Sequence, residues 1–173
     1  MRRVRSNLIT GAVAAIVVLA AVPAASAALH AVRGAPDCVR DQLGVRNNGM
    51  DGGAGTIHAA WVFTNRSASA CRMNGYPDVQ RYGRAGRPLL TTVQTDLPPA
   101  PADVTLAAGG SATFLSSSSD VISGSDRCPA SAVLEITAPN ADASLFIPAR
   151  VFACDGVVHV SAVRAGIHHP SSS

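Results

Sequence analysis

A chain of 173 residues suits one domain, and its formal charge of +3 is carried entirely by Arg2, Arg3 and Arg5. Beyond those three, eleven arginines face eleven acidic residues. That balance excludes the basic footprint of a nucleic-acid binder or an anionic-membrane binder.

The first segment reads as an export signal. Arg2, Arg3 and Arg5 form a positive start, followed by an apolar run from Leu8 to Val22. Ala25-Ser26-Ala27 then supplies the small-x-small pattern of a cleavage site. The strongly apolar part is about 15 residues, short of the ~20 a spanning helix needs, and Pro23 interrupts it. The expected organisation is a signal peptide at 1–27, a short lead at 28–37, a β-domain at 38–164 and a disordered tail at 165–173. The product is expected outside the cytoplasm, secreted or held at the cell envelope, with no membrane insertion after cleavage. About 145 mature residues can bury roughly two-thirds of their unfolded surface.

The mature chain reads as strands and turns throughout. A turn cluster, Asn47-Asn48-Gly49-Met50-Asp51-Gly52-Gly53, precedes an alternating stretch at 56–64. There the alternation puts Ile57, Ala59, Trp61 and Phe63 on one face. Further strands are expected at 79–82, 89–95, 104–106, 111–116, 132–137, 144–152 and 157–163. Pro77, Gly83, Gly86, Pro98-Pro99, Gly109-Gly110, Pro139 and Gly156 separate them. About seven or eight short strands with close turn signals predict an all-β antiparallel sandwich.

Cys38, Cys71, Cys128 and Cys154 are an even, widely spaced set with no Cys-x-x-Cys. In an oxidising compartment they read as two disulfides. Of three pairings, Cys38 with Cys71 and Cys128 with Cys154 joins neighbours in chain order, so neither loop threads the other. Cys71 would then staple a corner. Gly75 makes the bend, Pro77 fixes the exit, and Tyr76 covers the core near the Trp61 strand.

The order of these features resembles a known family. It runs from Cys38 through Val62-Phe63-Thr64-Asn65 to Cys71 with Gly75-Tyr76-Pro77. It continues with Val104-Thr105-Leu106, Gly109-Gly110-Ser111-Ala112, Cys128-Pro129 and Cys154-Asp155-Gly156. The chain is similar over about 38–163 to the exported actinobacterial proteins of the domain of unknown function 4232 family. The resemblance implies an immunoglobulin-like sandwich and no activity. One departure is the polar run Gln80-Arg81-Tyr82-Gly83-Arg84, where members tend to carry an apolar strand.

Catalytic motifs are absent from the sequence: no G-x-S-x-G, no H-E-x-x-H and no phosphate-binding glycine loop. Glu135, the sole glutamate, lies between Leu134 and Ile136 and should face away from both. Asp51 among glycines suits an Asx-type turn better than a calcium loop. Asn65-Arg66-Ser67 matches a glycosylation acceptor, a pattern frequent by chance. His168-His169 falls in the expected tail. The aromatic residues are few, most of them at core-facing positions, which argues against a sugar platform. Arg66, Arg72, Arg81, Arg84 and Arg87 crowd one stretch whose only acid is Asp78. They form a candidate patch for an anionic partner, such as an envelope polymer or an acidic protein surface. The expected protein is a monomeric, non-catalytic exported binding domain without cofactor or metal. The alternative is a secreted hydrolase using, for example, His159 with Asp155.

Overall fold

The computed structural model describes residues 34–122 and 128–170. The expected export signal at 1–27, most of the expected lead, and Ser171 to Ser173 lie outside the described residues. The fold is all-β, with eleven strands among the described residues rather than seven or eight. They are β1 (Leu43–Gly53), β2 (Thr56–Asn65), β3 (Cys71–Met73), β4 (Asp78–Tyr82), β5 (Thr92–Leu97) and β6 (Val104–Leu106). β7 (Ser111–Ser119), β8 (Val133–Thr137), β9 (Leu145–Pro148), β10 (Val157–Ser161) and β11 (Arg164–Ala165) complete the set.

The largest sheet runs β1-β2-β7-β10-β5, with β11 also paired to β7. β3 and β6 form a short pair, and β4-β8-β9 form a third sheet. These sheets share one core, an arrangement consistent with the immunoglobulin-like sandwich that the resemblance implies. The pairing is not wholly antiparallel, because β5 lies parallel to β10.

The turn cluster at 47–53 is not a loop. It belongs to β1, which pairs with β2 from Leu43↔Asn65 to Gly53↔Thr56 and absorbs its surplus as a bulge between Asn47 and Met50. The actual turn is Ala54-Gly55, both at positive φ (51° and 84°). A two-residue hairpin with both residues left-handed matches the twist of its strands. Asn and Gly, read as turn residues, here sit on an edge strand where a bulge is tolerated.

β2 follows its expected alternation. Ala59, Trp61 and Phe63 face the core, with Phe114 of β7 against both rings at 6.5 and 5.6 Å between centroids. The Trp61 indole N–H donates to Ser116 Oγ at 2.9 Å, which satisfies a polar atom that burial would otherwise strand. Ala60 and Val62, on the opposite face, are also fully buried. Residues 164–168 run along that side. β11 pairs with Ala112 and Thr113, Thr113 Oγ1 donates to Gly166 O at 2.7 Å, and His168 N donates back to it at 3.1 Å. Residues 165–170 are therefore held in place rather than trailing, because β7 offers a polar anchor beside an apolar face.

The expected disulfides are both formed. Cys38 joins Cys71 across 33 residues, and Cys128 joins Cys154 across 26. Cys38 N also donates to Arg72 O, so the first staple reinforces backbone pairing. Beyond it, Gly75 at φ 116° turns the chain and its carbonyl accepts Val163 N, while Tyr76 packs partly buried against the core. The corner is structural.

Candidate functional site

The five arginines crowded in sequence separate in space. Arg66 and Arg72 are exposed near β2 and β3, and Arg72 Nε meets Asp37 at 3.2 Å. Arg81 is not on the surface at all: it is 1% exposed. On β4 it shares the inward face with Val79, opposite Leu134 and Ile136 of β8. Its place in the expected patch is thus corrected: of the polar run Gln80-Arg81-Tyr82-Gly83-Arg84, Arg81 alone is buried. Arg84 and Arg87 alone reach the feature that most resembles a site.

That feature is a groove of about 720 Å³, within the range of small-ligand clefts. Gly83, Arg84, Arg87 and Leu89 form one wall, and the segments around Ser131 and Pro148 form the other. Arg150 completes the rim, its guanidinium 4.7 Å from the centre of the Phe152 ring. Among the described residues no acidic side chain lines the groove, and Arg84, Arg87 and Arg150 enter no ion pair. Sequence reasoning missed Arg150, because only the pairing of β4, β8 and β9 brings it to the same groove as Arg84.

Arg81 braces the groove from within. Its Nη1 donates to Ala153 O and its Nη2 to Pro129 O, each at 2.9 Å, while Nε is buried without a partner. The accepting residues adjoin Cys154 and Cys128, so the guanidinium spans the same two segments as the disulfide. Burial pushes its pKa down, and the charge of Asp155 partly offsets that.

Residues 38–164 match the Domain of unknown function (DUF4232) family. The chain belongs to that family. A search of the curated proteins and of the solved structures finds no match. The DUF4232 span opens on the first disulfide cysteine and closes on the first residue of β11. It contains both disulfides, the groove and Arg81.

Other candidates within the DUF4232 domain resolve individually. Glu135 faces outward, opposite to Leu134 and Ile136 as expected, and accepts the Tyr82 hydroxyl at 2.6 Å. That hydrogen bond, then burial, then the Glu135 charge raise the Tyr82 pKa. His159 does not meet Asp155. It lies against Asp96 of β5, with Nδ1 2.8 Å from Oδ2, whereas Asp155 accepts Val157 N at 2.9 Å. Asp51 lies in β1, opposite His58, and accepts the N–H of Gly52. Asn65 is fully buried and its Nδ2 donates to Ser69 O and Leu106 O, so it is closed to glycosylation. Among the described residues no group of three His, Cys, Asp or Glu is placed to hold a metal ion. No described helix is long and apolar enough to cross a membrane.

Proposed function

We propose that this protein is an exported, non-catalytic binding domain that takes an anionic partner of the cell envelope at the Arg84–Arg87–Arg150 groove. One observation carries the reading: three exposed guanidinium groups converge on a cleft whose described lining holds no carboxylate. Each such group offers a planar fork of donors suited to carboxylate or phosphate. Export is supported by the arginine-led apolar N-terminus with its Ala25-Ser26-Ala27 site, and by two disulfides that persist in an oxidising compartment. Envelope fractions should retain the purified protein at low salt and release it at high salt, because exposed charges are screened within ~10 Å at 0.1 M. The triple variant Arg84→Ala, Arg87→Ala, Arg150→Ala should lose that retention with its melting temperature unchanged. Retention indifferent to both salt and the triple variant refutes the groove as the site.

A further inference from the structure

The outward face of β4-β8-β9 leads directly into the basic groove. Register sets its rows: Gln80, Glu135 and Phe146 lie side by side, followed by Tyr82, Val133 and Pro148. Two residues beyond the ends of β4 and β9 come Arg84 and Arg150, at the groove. The step from Tyr82 to Arg84 spans about 7 Å of extended chain. Phe146 is 59% exposed, its ring tilted 50° to that of Tyr82 with centroids 6.4 Å apart. Glu135 stands between them and receives the Tyr82 hydroxyl on Oε2. The aromatic count that argued against a sugar platform missed this placement, since Tyr82 and Phe146 both lie on the outer face.

We infer that the partner is an anionic glycan, a deduction that rests on the groove reading above. Three chemistries adjoin in one strip, and one ligand class uses all three. The apolar face of a pyranose ring stacks on an exposed aromatic such as Phe146. Its hydroxyls donate to a carboxylate, and Glu135 retains its second oxygen, Oε1, for that purpose. A carboxylate or phosphate on the same or the next sugar meets the arginine forks of the groove. An acidic polypeptide would use the arginines and leave the Phe146–Glu135 row idle. Glu135 would repel a carboxylate placed beside it, so the charged substituent must point to the Arg84 end. The strip thereby orders the ligand: ring over Phe146, anion over Arg84 and Arg150.

The test uses the full purified chain with three defined polymers: polygalacturonate as an anionic glycan, dextran as a neutral glycan and polyglutamate as an anionic non-glycan. Affinity electrophoresis or calorimetry should show polygalacturonate bound at least about tenfold more tightly than either of the others. Phe146→Ala should weaken polygalacturonate about tenfold and leave polyglutamate unchanged. Because Phe146 is exposed, its removal should leave the melting temperature where it was. Equal binding of polygalacturonate and polyglutamate, lost with Arg84→Ala and Arg150→Ala but indifferent to Phe146→Ala, overturns the glycan inference and leaves the anion groove standing. Binding of no polyanion at any salt overturns both.

Discussion

The guanidinium of Arg81 donates to the carbonyl of Pro129, 48 residues along the chain, at 2.9 Å and with the side chain almost wholly out of water. Through the same group it holds Ala153 O, so one side chain fixes both segments that the Cys128–Cys154 disulfide joins. Pro129 lines the basic groove, which makes Arg81 a positioning residue for that wall.

Arg81→Ala should therefore do two things. It should lower stability by about 2–4 kcal/mol, since the buried Ala153 carbonyl loses its donor at ~1–3 kcal/mol and the part-buried bond to Pro129 O adds ~1 kcal/mol. It should also loosen the Pro129 wall, so that groove ligands bind less tightly even though the arginine is not at the surface. Arg81→Lys should not restore either property, because an ammonium lacks the fixed fork that spans two acceptors. Denaturant unfolding of the three proteins decides this, and a lysine variant as stable as the parent contradicts the clamp.

Tyr82 and Glu135 give a pH-dependent prediction. The folded-state pKa of Tyr82 is raised, chiefly by the hydrogen bond it donates to Glu135. A raised folded pKa means the contribution to stability is fully present below the ordinary tyrosine value and is lost as pH climbs through the higher folded one. Glu135→Gln removes the charged acceptor, so Tyr82 should ionise at lower pH. The chain has only two tyrosines, so Tyr82→Phe identifies which alkaline absorbance transition belongs to which residue. A transition unmoved by Glu135→Gln would show that the bond does not govern the hydroxyl.

What the sequence disclosed, and what it hid, follows from this same strand. Alternation is a reliable signal where the inward residues are apolar, as at Ala59, Trp61 and Phe63. Charge clustering misleads at β4, where an arginine takes an inward position and satisfies itself on carbonyls far along the chain. Composition misleads at 47–53, where Asn and Gly on a bulged edge strand resemble a turn. Arg150 and Phe146 were invisible as site residues because their neighbours Arg84 and Tyr82 adjoin them only through sheet pairing. The cysteine pairing was legible, since chain order restricts how loops of this size close without threading.

The two disulfides should be separable in their effect. By loop-closure entropy each bridge is worth ~3–4 kcal/mol before strain, a large share of the ~5–15 kcal/mol typical of a domain. Cys38→Ser with Cys71→Ser also disturbs the core, because both cysteines are fully buried there. Cys128→Ser with Cys154→Ser leaves Arg81 still holding Pro129 and Ala153 together. The first pair should therefore lower the melting temperature more than the second, although both loops are of similar length. Non-reducing peptide mapping verifies the parent connectivity, and calorimetry ranks the variants. An equal drop would mean that core packing and the Arg81 clamp add nothing to the entropic effect.

Asn65 offers the sharpest contrast between a sequence motif and a structural role. Its Nδ2 donates to Ser69 O at 2.8 Å, Leu106 O at 3.0 Å and Ala107 O at 3.2 Å, while Oδ1 accepts the N–H and hydroxyl of Ser67. The Asn-x-Ser spacing thus closes a buried polar knot between β2 and β6, with both ends of the amide occupied. Asn65→Asp changes almost no volume, yet it places a carboxylate oxygen against three carbonyls out of reach of water. The cost should be about 3 kcal/mol or more, from lost donors and an unpaired buried charge. Ser67→Ala destroys the same acceptor pattern but removes only one hydroxyl from the knot, so it should cost about 1–2 kcal/mol. A glycosylation site would show the opposite hierarchy, with both changes tolerated and both abolishing a mass increment in a glycosylating host. The expected result there is an unmodified mass for the parent, together with a large drop in melting temperature for Asn65→Asp and a small one for Ser67→Ala.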